Sequence, residues 1–283
     1  MRFWVRRGIE AMRSPRKLWM TLRNYARTND VEVFVVSFPK TGRTWLRVML
    51  GKVLSETYTL PGDSLLDIYS LTKIAGIKRA MFTHDGPLHL MSSLPYYQLT
   101  FNNNRYKQVH VVFIVRDIRD TIVSSYFQET KRANTFQGSI GEFIRDDIFG
   151  IRKLIAFYNI WFENTHVPKT FTLVRYEDMK RDASSELNKV LNVLGADKAD
   201  DAAVRTAVEF ATFDNMRKME LEGRFKDAMM KPGKVTGDPK TLKTRRGQIG
   251  SFVEHLLDED IKYIHDELER MKIAECQWYI NSK

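Results

Sequence analysis

Cysteine is almost missing from this chain. Cys276 is the only one in 283 residues, so neither a disulfide framework within the chain nor a cysteine-based zinc site can form. That usage predicts a protein of the reducing cytoplasm. Long apolar runs are missing as well: no stretch of about 18 apolar residues occurs, which leaves no candidate transmembrane helix. Charges interrupt the N-terminal region where a secretory segment needs its apolar centre, so a soluble, unprocessed protein is expected. No internal repeat is found, and no Asp/Glu/His cluster has metal-ligand spacing, so no metal is expected.

Acidic residues are scarce in one place only. The formal charge is +10, yet residues 1–28 hold eight basic residues against Glu10 alone, which leaves +3 for everything else. A nucleic-acid-binding domain would spread its excess over a folded face, so no nucleic-acid partner is expected. The leader interleaves its arginines with Phe3, Trp4, Ile9, Leu18 and Trp19 and reads as short amphipathic helices, with Ser14-Pro15 as a helix start. Two uses fit it: a basic arm packed on the domain, or peripheral contact with an anionic membrane surface.

The remainder, 29–283, has the apolar content for one domain; the chain as a whole is 43% hydrophobic. Val31 to Val36, Arg79 to Thr83, Val109 to Val115 and Thr170 to Val174 read as strands. Helical patterns separate them: Trp45 to about Tyr58, a helix from Asp63, one after Arg116, and a long helix from the capping box Ser139-Ile140-Gly141-Glu142 through Trp161. Further helices run from the Asp182 cap to Gly195 and from Asp258 through Met271. This alternation predicts an α/β fold: a single domain with a central parallel sheet and helices on both faces. Residues 223–250 are rich in Gly, Lys and Arg and read as a basic loop covering an anion.

Ligands of such sheets bind at strand ends, where Lys40, His84, Arg116 and Tyr176 fall. Ser37-Phe38-Pro39-Lys40-Thr41-Gly42-Arg43-Thr44-Trp45 follows the first strand and opens a helix, a P-loop-like site for phosphate or sulfate. The Walker spacing is absent because Lys40 precedes Gly42, which weakens a kinase or NTPase reading. A non-catalytic basic binding protein acting through the leader is a third reading.

The order Pro39-Lys40-Thr41-Gly42-Arg43-Thr44-Trp45 resembles the 5′-phosphosulfate loop of the sulfotransferases that use 3′-phosphoadenylyl sulfate (PAPS). Arg116 with Ser124 eight residues later resembles their 3′-phosphate motif. Tyr176-Glu177-Asp178, Thr212-Phe213-Asp214-Asn215-Met216 and Arg245-Arg246-Gly247-Gln248-Ile249-Gly250 are similar to three further segments, in the same order. The resemblance implies that Lys40, Thr41, Gly42, Arg43 and Thr44 hold the phosphosulfate. It places Trp45, Tyr176, Thr212, Phe213 and Met216 around adenine, and Arg116, Ser124, Arg245, Arg246 and Gly247 at the 3′-phosphate.

The resemblance also implies that His84, in Phe82-Thr83-His84, is the general base, that Lys40 stabilises the leaving group, and that Ser124 restrains Lys40 until acceptor binds. The product would be adenosine 3′,5′-bisphosphate (PAP), without a metal. The acceptor would be a small hydroxylated or lipid-like molecule, with Tyr96, Tyr97, Tyr126, Phe127 and Phe136 as candidate pocket aromatics. Three departures from the pattern stand out. Phe82 replaces a second catalytic lysine, so its charge comes from Arg43 or the site works without it. Arg43 and Ala211 replace common hydroxyl residues. Ser251-Phe252-Val253-Glu254 replaces the segment of animal cytosolic members, and their dimer motif is not found, which suggests a bacterial-type member and leaves the oligomeric state open.

Overall fold

A short run rich in β-branched and aromatic residues, polar only at its last position, is a strand buried on both faces, and β1 (Val33–Ser37) has every residue buried. The computed structural model describes residues 27–60, 65–85, 94–223 and 247–271. β2 (Ala80–Thr83), β3 (His110–Val115) and β4 (Thr170–Arg175) complete a parallel sheet in the order β2-β1-β3-β4. Val33 registers with Ala80 on one side and His110 on the other, and His110 with Thr170.

The chain leaves β1 to form β2 on one flank, then crosses back to form β3 on the other. Winding reverses there, so a crevice opens beyond the carboxyl ends of β1 and β3.

Among the described residues the α-helices are α1 (Arg43–Thr57), α2 (Ile68–Ala75), α3 (Asn103–Tyr106), α4 (Ile118–Phe127), α5 (Ile140–Arg145), α6 (Ile151–Glu163), α7 (Tyr176–Arg181), α8 (Ala183–Leu194), α9 (Asp201–Phe210), α10 (Phe213–Leu221) and α11 (Asp258–Met271). Period-two alternation on the strands divides the core between two faces. Val33, Val35, Val112 and Ile114 pack with Leu46, Met49, Leu50 and Val53 of α1 and with Leu187 and Leu191 of α8. Phe34, Val36, Val111 and Phe113 pack with Ile122 of α4, Tyr158 and Trp161 of α6, and Ile264 and Leu268 of α11. Helices therefore cover both faces, as the alternation predicted.

Two boundaries differ from the sequence expectation. The second helix begins at Ile68, where the Asp67 carboxylate caps it by accepting from the Ser70 amide at 3.3 Å. The same carboxylate takes both terminal nitrogens of Arg27 at 3.0 Å, which fixes it at the helix start. The long helix expected from Ser139 is two helices. Its capping box forms, but Asp146 adopts an extended backbone and its Oδ1 accepts from the amides of Ile148 and Phe149 at 2.7 and 2.8 Å. That local turn competes with the helical ladder and ends α5. The Tyr176-Glu177-Asp178 segment follows β4 directly and opens α7. Residues 1–26 of the basic leader and 224–246 of the basic loop, with Arg245 and Arg246, lie outside the described residues.

Candidate active site

The loop between β1 and α1 turns by means of two residues with positive φ, Lys40 at 70° and Gly42 at 93°. Glycine is required at the second for another reason also: a Cβ there would stand 2.5 Å from Cδ2 of Tyr176. Thr41 is buried and its hydroxyl donates to the Phe38 carbonyl at 2.9 Å, so it braces the loop from inside. Gly42 caps α1, whose first-turn amides and dipole face the crevice opening.

Across the crevice, Arg116 leaves the end of β3 and ties the loops together. Its Nη1 donates to the Lys40 carbonyl at 3.2 Å and its Nη2 to the Gln248 carbonyl at 3.0 Å, while the guanidinium lies 4.4 Å from the centre of the Tyr176 ring. The Nε donor of Arg116 is buried and meets no partner among the described residues. Asp120, one turn along α4, was assigned no role in the sequence. Its buried carboxylate accepts from the amides of Gly250 and Phe252 at 2.8 and 3.1 Å and from the Ser251 hydroxyl at 3.2 Å, and stands 3.5 Å from Arg116. It thereby pins the returning segment after residue 246 beside Arg116.

That returning segment closes the wall. The Tyr176 hydroxyl donates to the Gly247 carbonyl at 3.0 Å, and Gly247, at φ 65°, leaves no room for a Cβ, which would meet Cδ2 of Phe213 at 2.8 Å. Trp45 meets Tyr176 edge to face, with ring centres 5.9 Å apart, and Lys180 lies 5.5 Å over the Trp45 ring.

The cleft between these segments has a volume of about 330 Å³. Of the residues predicted from sequence, Lys40, Gly42, Arg43, Thr44, Trp45, His84, Arg116, Ser124, Tyr176, Phe213, Met216 and Gly247 line it. Thr41 and Thr212 do not; Thr212 precedes α10 as its N-cap. Gln128, Glu129, Lys180, Gln248 and Ser251 line the cleft without having been singled out. The five candidate pocket aromatics are absent from its wall. Phe136 packs against Phe143 and Phe149 at 5.0 and 5.8 Å, Tyr126 packs against Phe143 and donates to the Gly138 carbonyl, and Tyr96 meets Tyr97 at 5.3 Å.

His84 follows β2. Its Nδ1 lies 2.7 Å from the Ser37 carbonyl oxygen. A carbonyl only accepts, so this contact assigns the proton to Nδ1 and leaves the lone pair on Nε2 of the neutral ring. Asp85, next in the chain, is buried, has φ 66° and accepts from the Tyr106 hydroxyl. Burial pushes its carboxyl up to about 6.

Lys40 donates to Oε1 of Gln128 at 3.4 Å, one turn beyond Ser124. Burial and the nearby Arg47 cation bring the Arg43 guanidinium down to about 9. The Arg47 guanidinium covers the Phe82 ring at 4.5 Å. Among the described residues no group of His, Cys, Asp and Glu could hold a metal ion, and no helix is long and apolar enough to cross a membrane.

The chain is 24% identical over 261 residues to flavonol 3-sulfotransferase of Flaveria bidentis, covering 84% of this chain and 80% of that protein. It is 25% identical over 246 residues to amine sulfotransferase of Oryctolagus cuniculus, covering 81% and 77%. Its fold is similar to that of mouse sulfotransferase SULT7A1, crystallised with PAP, at a TM-score of 0.62 and 22% identity, covering 90% of each chain. The sulfotransferase domain family model matches residues 30–277, so the chain belongs to the sulfotransferase domain family.

Proposed function

We propose that the chain transfers a sulfuryl group from PAPS to a hydroxyl oxygen, less readily an amine nitrogen, of a small-molecule or lipid-like acceptor in the cytoplasm. The observation that carries this reading is Arg116. Its two terminal nitrogens join the Lys40 loop to the returning Gln248 segment, and its buried Nε keeps a donor without a partner among the described residues. A buried donor in that condition suits an anionic oxygen, here the 3′-phosphate, with the Ser124 hydroxyl as a second contact. The family resemblance adds Arg245 and Arg246 to the same phosphate and makes 223–250 the segment that covers the donor.

PAPS would supply the activated sulfuryl group and PAP would leave. His84 Nε2, made available by the Nδ1 contact to Ser37, takes the acceptor hydroxyl proton as its oxygen attacks sulfur in line. The Lys40 ammonium neutralises charge growing on the bridging oxygen of the leaving group. It works beside the α1 amides in a cleft that limits water. Gln128 holds Lys40 before that moment, the part the resemblance gives to Ser124. Arg43 supplies the positive charge that Phe82 lacks, since its guanidinium lines the cleft with its charge opposed by burial and by Arg47. Trp45, Tyr176, Phe213 and Met216 form the adenine side.

The test is thermal stabilisation by PAP compared with 5′-AMP and ATP. At about 100 times its Kd, PAP should add roughly 2.7 kcal/mol, while 5′-AMP at equal concentration does much less. Arg116→Ala should remove the difference. Equal stabilisation by 5′-AMP in the wild type would overturn the reading.

A further inference from the structure

β2 is four residues long and, among the described strands, lies at the edge of the sheet, bonded to β1 alone. A short strand paired on one side frays first at its ends. Its register with β1 stops at Val36 and Thr83, so His84, the proposed base, is the first residue beyond the ladder. A base needs finer placement than a fraying end gives, because a displacement of about 1 Å costs on the order of a hundredfold in rate.

The next residue supplies an anchor. Asp85 takes a left-handed backbone, φ 66°, and its amide donates to the Thr83 hydroxyl at 3.0 Å. This tight turn sends the two neighbouring side chains apart. His84 lines the cleft, whereas the Asp85 carboxylate is buried and accepts from the Tyr106 hydroxyl of α3. Tyr106 is itself fully buried, its ring centre 4.7 Å from that of Trp161 and 5.6 Å from those of Phe34 and Phe101. Phe34 belongs to β1, so the anchor is fixed relative to the same strand that ends at Ser37. Burial and the Asp85 charge hold the Tyr106 phenol well above its usual range, which keeps it a donor. A buried carboxyl is a costly way to fill space, and its place beside His84 gives it a positional use.

We propose that Asp85 is a positioning residue for His84: its bond to Tyr106 anchors the end of β2, so that the His84 Nδ1 proton stays on the Ser37 carbonyl and Nε2 faces the cleft. The inference rests on the sulfotransferase reading and adds to it the device that holds the base. The anchor is the accepting oxygen and not the charge, so asparagine should replace it.

The experiment is nitrogen NMR of the PAP-loaded protein labelled at histidine, at about pH 8 where a free imidazole is neutral, with the His84 signals identified by their loss in His84→Gln. The wild type should show His84 protonated at Nδ1. Asp85→Gly removes the carboxylate and keeps the turn, since glycine takes a left-handed backbone freely; Tyr106→Phe keeps the carboxylate and removes its donor. In each, the ratio of Nδ1–H to Nε2–H at His84 should fall about fivefold or more, the equilibrium worth of one hydrogen bond. Turnover with 4-nitrophenol as acceptor should fall by about ten- to a hundredfold, with the KM for PAPS and stabilisation by PAP kept. Asp85→Asn should retain the wild-type tautomer. A His84 ratio within about twofold of wild type in either Asp85→Gly or Tyr106→Phe would overturn the proposal, as would an Asp85→Asn protein that behaves like Asp85→Gly. Failure of PAP to stabilise the wild type would sink the sulfotransferase reading; stabilisation by PAP with an unmoved His84 tautomer would sink only this one.

Discussion

The two ends of the cleft are built from different materials. At the end assigned to the donor, main-chain groups and buried charges are shared between segments far apart in the chain. Arg116 reaches the Lys40 and Gln248 carbonyls, and Asp120 holds the amides of Gly250 and Phe252. At the other end, Gln128 and Glu129 lie on one π-helical turn, and Glu129 is held mainly by Thr135 six residues on. The first end cannot change one residue without releasing several partners; the second can change its chemistry side chain by side chain.

The sharpest way to break that comparison is at the point where the ends meet. His84→Ala should lower turnover by about 10²- to 10⁴-fold while stabilisation by PAP is kept, measured by sulfuryl transfer and by melting with PAP. Turnover near the wild-type rate would remove His84 as base.

Stability probes the difference between the ends directly. Asp120→Ala leaves three donors and Arg116 without their carboxylate and should cost about 3 kcal/mol in denaturant unfolding, whereas Glu129→Gln should stay within about 0.5 kcal/mol. Equal costs would mean that the ends do not differ as described.

The smallest effect is expected at Asp85, next to His84 in the chain. Asp85 titrates near 6 in the folded chain against 3.8 for the free side chain, so the folded state holds this proton more tightly than the unfolded state. Ionising it therefore costs stability. The cost is absent below pH 3.8, develops up to about pH 6 and is constant above. Asp85→Asn tolerates the left-handed backbone and can still accept from Tyr106. It should become more stable than wild type by roughly 2 kcal/mol at neutral pH, the difference growing across that window. Melting temperatures of both proteins from pH 4 to 8 check this; a difference independent of pH would refute the cause given.

Much of the cleft lining was legible because its signals are local. The Lys40 loop, the Arg116 and Ser124 spacing and the strand ending at His84 are each readable within about ten residues of sequence, and all line the cleft. Asp120 stood inside the Arg116 motif yet stayed unread, because its partners lie 130 to 132 positions later. Gln128 and Glu129 went unread because a π-helical turn rotates side chains away from the 3.6-residue period used to place them. The break at Asp146 was a local signal overlooked in favour of the longer apolar periodicity.

Read alone, the residues determine the four strands, most of the helices, the anion loop and the order of the family segments, since periodicity, capping and turn chemistry act over a few neighbours. Tertiary structure decided the rest. It put β2 and β3 on opposite flanks of β1 and so opened the crevice, set the His84 tautomer through a carbonyl 47 positions away, and brought Asp120 to the segment at 250–252. Those outcomes depend on which distant segments pack together, a choice made by burial of the whole sheet and by no single stretch of the chain.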